Sequence, residues 1–248
     1  MQLPKKISPD NIREAVVEVR YDSDVPFELL VGLFVEVFDD TYTYTNRPPQ
    51  QPIASGTIGN TVRGVNIKIG LTSVVYNDNV SIQLLPNSFV FTWQPQYAGW
   101  DEYRKEIATA LEQLFSIKKT LIVNRVGLRY ISEYPNKDLK DCFKFKFTFG
   151  LPEVESETVS FRSEFKKDGT RIILNLSNRV PFVNPNPKPE DATVIRTSIV
   201  DIDVICEDVQ TTNLPDLLTT VDVNHTKQKE VFFTMIDDNY LQTLNPEY

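Results

Sequence analysis

The sequence predicts an α+β fold made of two copies of one β-α-β-β-β-α unit, with a mostly antiparallel sheet and helices on one face. A seven-residue pattern, R-Y-x-S-acid-x-P, occurs at residues 20–26 and again at 129–135. The same order of predicted elements follows both occurrences, and repeated order is better evidence of duplication than a short motif alone. The predicted halves span residues 11–120 and 121–240.

The first half begins with a predicted strand over Arg13–Tyr21, where residues on the apolar face alternate with mostly polar ones. Asp24 as N-cap and Pro26 in the first turn then predict a helix over Phe27–Phe38. The valines of this segment would also suit a strand. Asp39–Gly59 contains three prolines and is predicted to be a loop.

Three short apolar runs and an amphipathic helix complete the first half. Turn-forming residues separate the runs, as in an antiparallel meander. The runs are Val62–Leu71, Val80–Leu85 and Phe89–Trp93. Apolar residues at helical spacing from Trp100 to Leu114 then predict a helix with a charged opposite face.

The second half repeats this order with two differences. It starts with a predicted strand over Val123–Ile131, but a short segment, Asn136–Asp141, replaces the first long helix. The predicted strands that follow are Phe143–Phe149, Thr158–Phe165, Thr170–Leu176 and Ile195–Cys206. A proline-rich loop spans Pro181–Pro189, and the last helix is predicted in one piece or in two, Pro215–Val221 and His225–Ile236.

Charge and composition narrow the class of partner. The chain has 34 acidic and 26 basic side chains, a net charge of −8, which repels phosphate backbones. We therefore expect no general nucleic-acid binding and favour a protein partner. No apolar run reaches the length of a membrane span, and a polar stretch follows the first residues. With two isolated cysteines as well, the sequence predicts a cytoplasmic protein.

Parts of two predicted strands and the last helix resemble a known group of proteins. The first strand contains E-A-x-x-E-x-R at residues 14–20, and the strand that opens the second half contains G-L-R-Y-I at residues 127–131. His225 precedes Phe232 and Ile236 on the last helix. Together they resemble a family of uncharacterised, sporadically distributed prokaryotic proteins of this length, over nearly the whole chain. The resemblance implies no catalytic residue, but sporadic distribution is associated with defence and toxin–antitoxin genes.

Three residues are candidates for binding. Arg20 and Arg129 occupy equivalent positions in the repeated pattern, which the sequence places just before a strand-to-helix turn. Two guanidinium groups on one surface would clamp a carboxylate or phosphate. The simpler alternative pairs each with a nearby acid such as Glu18, Asp24 or Glu133. His225 is the only histidine, and it is either a base or ligand, or a packing and capping residue.

No recognisable catalytic or cofactor motif is present in the sequence. No phosphate-binding loop, dinucleotide fingerprint, serine-nucleophile motif or zinc-protease motif occurs. Asp201-Ile202-Asp203 would place two carboxylates on one strand face, either as a divalent-ion site or as the solvated side of the strand. We therefore predict no cofactor, no metal and no catalytic residue.

The sequence predicts a non-enzymatic protein-binding module, within a bacterial defence or toxin–antitoxin system. A nucleic-acid or nucleotide binder that uses the sheet face is the alternative, and an enzyme with an unrecognised site is a third interpretation. A basic groove with Arg20 and Arg129 would favour the nucleic-acid binder. A deep pocket with paired carboxylates would favour the enzyme.

Overall fold

A computed structural model describes residues 2–47, 72–94, 96–117, 120–144, 158–182 and 195–248. The strands are β1 (Ile12–Asp22), β2 (Thr43–Arg47), β3 (Thr72–Tyr76), β4 (Val80–Leu85), β5 (Ser88–Trp93), β6 (Ile122–Pro135), β7 (Val159–Lys167), β8 (Thr170–Phe182) and β9 (Ile195–Thr211). The helices are α1 (Phe27–Val37), α2 (Trp100–Phe115), α3 (Leu214–Met235) and α4 (Asp238–Gln242), with a short 3-10 turn at Leu139–Asp141. The predicted class, a mixed fold with a large antiparallel sheet, is confirmed.

The strands form a nine-stranded sheet in the order β2-β3-β4-β5-β1-β6-β9-β8-β7. The meander predicted around Val80–Leu85 and Phe89–Trp93 is present: β4 pairs antiparallel with both β3 and β5. The two-residue loop Asp168-Gly169 joins β7 to β8, and both residues have positive φ, 49° and 73°. Such a loop requires left-handed backbone at both positions, which suits an Asp-Gly pair.

The described chain forms two compact units, and both draw on distant parts of the sequence. Unit 1 comprises Met1–Arg13, Arg129–Val204 and His225–Tyr248. Unit 2 comprises Glu14–Leu128 and Ile205–Asn224. The units interleave along the chain because β1, β6, β9 and α3 each contribute residues to both.

The core of unit 2 lies between its strands and the helices α1 and α2. Phe34 of α1 packs edge-on against Phe89 at 5.0 Å between ring centroids, and Tyr21 stacks on Phe89 at 4.6 Å. Tyr103 of α2 is fully buried, and its hydroxyl donates to the Phe91 carbonyl at 2.8 Å. The alternation predicted for the first strand is confirmed, because its apolar face is buried.

The core of unit 1 forms between alternate residues of β8 and β9 and the C-terminal helices. The buried cluster contains Tyr134, Leu139, Cys142, Phe143, Ile172, Leu174, Leu176, Val200, Ile202, Val204, Phe232, Phe233, Ile236, Leu241 and Leu244. Burial of this apolar surface is the main force that stabilises the unit. Both cysteines are free thiols.

Several predicted boundaries are wrong. The N-cap of α1 is Pro26 rather than Asp24, and no side chain caps this end of the helix. The loop predicted over Asp39–Gly59 contains β2, while 48–59 lies outside the described residues. The last helix, predicted in one piece or in two, is one continuous element, α3, and a fourth helix that was not predicted follows it. The strand predicted at Val62–Leu71 lies outside the described residues. So do residues 145–149 of the strand predicted at Phe143–Phe149 and residues 183–189 of the proline-rich loop.

Candidate functional site

Arg20 lies near the end of β1 and contacts an acid of its own strand. Its Nε donates to Oε1 of Glu18 at 3.0 Å, and 45% of the Arg20 side chain is exposed. The second carboxylate oxygen of Glu18 accepts from Arg125 of β6. Glu18 therefore bridges two guanidinium groups, and the ion pair that the simpler alternative predicts for Arg20 is present.

Arg129 lies in the middle of β6, so the prediction that it precedes a strand-to-helix turn is wrong. The strand continues to Pro135 because the second copy of the repeated pattern is itself extended. The acid that Arg129 meets is Asp201 of β9, with Nε and Nη2 each donating at 2.8 Å to one carboxylate oxygen. Glu133, a predicted partner of Arg129, pairs instead with Arg13 at 2.7 Å.

Asp201 is buried, contrary to the interpretation of the Asp201–Asp203 pair as the solvated side of its strand. Only 7% of Asp201 is exposed. Its carboxylate accepts both Arg129 bonds and a third bond from Nδ2 of Asn175 at 2.9 Å, and Arg162 Nη1 donates to Oδ1 of Asn175. A hydrogen-bonded chain therefore crosses four strands of unit 1, and it satisfies the buried charge.

His225 lies on α3 and is half-buried, with its ring edge-on to Tyr130 at 6.1 Å between centroids. Burial, and secondarily the charge of Lys229, lowers the pKa of His225 to about 3. The imidazole is therefore neutral at physiological pH. Asp222, which precedes it by three residues, accepts from Arg104 at 3.0 and 3.1 Å, so its carboxylate is engaged by a different partner.

The outward side of α1 is a feature that sequence reasoning did not single out. The helix is apolar almost all round, yet only Leu30 and Phe34 are fully buried, and Leu29 is 63% exposed. Helices apolar on every side are usually covered on every side. Leu29, Gly32 and Glu36 lie along one face at helical spacing, and a Cβ on Gly32 would meet nothing within 4 Å. We call this face of α1 the Leu29 surface.

Acidic residues surround the Leu29 surface in the sequence. The segment between Arg20 and Arg47 has no lysine, arginine or histidine. Its acids, all exposed, are Asp22, Asp24, Glu28, Glu36, Asp39 and Asp40. The pKa of Asp39 is lowered, first by the hydroxyl of Thr41 and then by its backbone N–H, so this carboxylate stays charged under mildly acidic conditions. Leu29 and the open space beside Gly32, which we call the notch, thus belong to a segment with six carboxylates and no basic residue.

No family model, curated protein or solved structure matches the chain. Among the described residues, no group of three or more His, Cys, Asp or Glu side chains is arranged to hold a metal ion. In the same part of the chain, no helix has both the length and the apolar character needed to cross a membrane.

Proposed function

We propose that the chain is a non-enzymatic protein-binding module that contacts its partner through the Leu29 surface. The observation that carries the proposal is that Leu29, on a helix apolar almost all round, is 63% exposed. A large exposed apolar side chain loses water contact on association and contributes up to about 2 kcal/mol when fully covered. Gly32 adds open space beside it, into which a partner side chain fits.

The charge around the surface defines the chemistry of the partner. Six exposed carboxylates without a basic residue in the same segment attract a basic surface. The partner we propose therefore presents lysine or arginine residues around an apolar side chain that packs against Leu29 and Gly32. Acidic rims of this kind accelerate association and make it sensitive to salt.

The sequence resemblance extends the proposal to the biological context. Sporadic distribution is associated with defence and toxin–antitoxin genes, and an acidic chain suits the role of binding a basic protein in such a system. The net charge of −8 supports this direction, because it favours basic protein surfaces over nucleic acid.

We further propose that the fold arose by duplication of residues 11–120 and 121–240. The strand order supports this. From the outside inward, the order on one side is β2-β3-β4-β5-β1 and on the other β7-β8-β9-β6, so the first side has one strand more. In each half the last strand of the meander therefore neighbours the first strand of that half, and β1 and β6 are adjacent. Superposition of the two halves in an experimental structure tests the relation, and unrelated positions for Tyr21 and Tyr130 would contradict it.

The decisive experiment compares surface variants in quantitative capture from the native host. Leu29→Lys removes the apolar contact and adds a positive charge, and Val223→Lys makes the same change at another residue, 44% exposed. We expect the parent and Val223→Lys to capture the same protein and Leu29→Lys to fail to capture it. Moderate salt should weaken the binding of this protein to the parent. Cross-linking should then map the contact to a basic, apolar segment of that protein.

Other outcomes contradict the proposal in different ways. If the parent and both variants capture the partner equally, the partner contacts a surface of the chain other than the Leu29 surface. A concentration-dependent dimer that Leu29→Lys alone dissolves identifies the occupant as a second copy. A shift of duplex DNA or RNA by low-micromolar protein at physiological salt favours the alternative nucleic-acid function, which the net charge opposes.

A further inference from the structure

A polar pocket lies in unit 1, where the segment after β6 meets β8 and β9. Its volume is about 400 Å3, and it is lined by Asn136, Asp138, Lys140, Asp141, Arg179 and Arg196. Every one of these side chains is charged or carries an amide. The size is that of a site for a small molecule, but such sites are usually lined mainly by apolar and aromatic groups. The lining therefore indicates a ligand that is itself strongly polar.

Arg179 adopts an unusual backbone conformation on the wall of the pocket. Its φ is 51° although it lies inside β8, and its side chain is exposed. A non-glycine residue in the left-handed region costs free energy and persists only where its surroundings hold it. Here the Arg179 N–H donates to the hydroxyl of Ser198 at 2.9 Å, so a side chain replaces a backbone acceptor. Residues in such conformations concentrate at functional sites.

A buried hydrogen-bond network fixes the wall of the pocket. Ser198 is fully buried, and its hydroxyl donates to the Lys137 carbonyl at 2.7 Å. Asn178 Oδ1 accepts from the Leu139 N–H at 2.8 Å. The Asn136 N–H, from a second left-handed residue at φ 56°, donates to the Arg196 carbonyl at 2.8 Å. The lining segments are therefore held together before any ligand arrives, which lowers the cost of binding.

The pocket concentrates positive charge in an acidic protein. Its described lining includes three cations and two carboxylates, a local balance of +1 in a chain of −8. Lys140 lies 3.6 Å from Asp138, whereas Arg179 makes no ion pair with any residue in the described ranges. Guanidinium groups match the oxygens of phosphate in a two-pronged geometry. The aspartates supply acceptors for hydroxyl groups of the same ligand.

We propose that this pocket binds a small phosphorylated sugar or polyol. The phosphate contacts Arg179, Arg196 and Lys140, and ligand hydroxyls donate to Asp138 and Asp141. A nucleotide fits less well, because none of the described lining residues is aromatic and able to stack on a base. The site goes beyond the protein-binding function and does not depend on it.

Calorimetric titration with four probes tests both the site and the ligand class. The probes are glucose 6-phosphate, glucose, inorganic phosphate and adenosine monophosphate. We expect glucose 6-phosphate to bind more tightly than each of the other three. Arg179→Ala should lower the affinity for glucose 6-phosphate about tenfold or more. Arg179→Lys, which keeps the charge but loses the fork, should give an intermediate loss. Arg162→Ala, at an exposed arginine of β7 outside the lining, is the matched control and should bind like the parent.

Three results would overturn the proposal. Weak binding of all anionic probes that Arg179→Ala leaves unchanged indicates an adventitious ion only. Tighter binding of adenosine monophosphate than of glucose 6-phosphate assigns the pocket to another ligand class. Absence of binding by every probe to the folded parent, with folding verified by circular dichroism, excludes a phosphate site there.

Discussion

Arg129 and Asp201 form a two-pronged ion pair whose two members differ sharply in exposure. Both nitrogen-to-oxygen distances are 2.8 Å, 40% of the Arg129 side chain is exposed, and Asp201 is 7% exposed. Removal of the arginine therefore leaves a buried carboxylate that has lost both guanidinium bonds and keeps its bond from Asn175. An unpaired buried charge costs more than a lost surface pair, so the two members are not energetically equivalent.

We predict that Arg129→Ala lowers the free energy of unfolding by about 1–3 kcal/mol. Arg20→Ala should lower it by less than about 0.5 kcal/mol, because its pair with Glu18 is exposed and Glu18 keeps Arg125. The sequence alone predicts similar small losses for both arginines. Urea unfolding of the two variants measures the difference, and equal losses would show that the Asp201 carboxylate is solvated without Arg129.

The lowered pKa of His225 makes the free energy of unfolding depend on pH. Its pKa is about 3 in the folded protein and about 6.5 when unfolded, so only the unfolded chain takes up a proton between these values. The stability contributed by the neutral imidazole is complete above pH 6.5 and falls as pH drops toward 3. We expect His225→Gln to reduce the loss between pH 7 and pH 5 by about 1–2 kcal/mol, given partial solvent exposure.

Urea unfolding of the parent and His225→Gln at pH 7, 6 and 5 measures this effect. Carboxylate titration occurs in both proteins and cancels in the comparison. Parallel pH profiles for the two proteins would mean that the imidazole is solvated and titrates normally. A steeper loss in the variant would mean that the histidine is protonated and paired in the folded state.

The sequence predicts elements well where one face is buried and one is solvated. β4 matches its predicted bounds, and α2 begins at the predicted Trp100 and ends one residue beyond Leu114, because period-2 and helical patterns are uninterrupted there. The break in α3 that the sequence left open as an alternative is not present, for a specific reason. Asn224 interrupts the apolar pattern, but it is fully buried, and its Nδ2 donates to the Val126 carbonyl at 3.0 Å. A tertiary hydrogen bond thus supports a helix that local sequence divides.

The candidate sites were harder to predict than the helices and strands, because their partners are distant in the sequence. Sequence reasoning singled out Arg20 and Arg129 because they repeat, but it did not give Asp201 as a partner, which comes from a strand 72 residues away. Arg179 carries no local signal, since arginine has no preference for left-handed backbone and its support comes from Ser198 of β9. The exposure of Leu29 could not be predicted from the sequence either, because an apolar run alone predicts burial.

Gly32 predicts a conflict between stability and partner binding. Glycine inside an exposed helix face costs about 0.5–1 kcal/mol relative to alanine, and the structure leaves room for a methyl group. We expect Gly32→Ala to stabilise the chain by about that amount and to weaken capture of the partner by filling the notch. Ala108→Gly on α2 is the matched control and should destabilise by a similar amount without affecting capture. Stabilisation with unchanged capture would show that the partner does not use the notch.

Arg179 predicts a second conflict of this kind, now at the pocket. At φ 51° an arginine is strained by about 1 kcal/mol, and glycine adopts the same conformation without that strain. Arg179→Gly should therefore be as stable as the parent or more stable by up to about 1 kcal/mol, after the entropy of glycine in the unfolded chain is subtracted. Arg179→Ala keeps the strain, so it separates the effect of the backbone from the loss of the side chain.

Urea unfolding of both Arg179 variants should place the glycine variant above the alanine variant, while both lose glucose 6-phosphate binding. This combination means that the left-handed arginine is kept for its guanidinium, at the expense of stability. If Arg179→Gly is instead less stable than Arg179→Ala, the conformation carries no strain to relieve. The unusual backbone would then give no support to a binding role for the pocket.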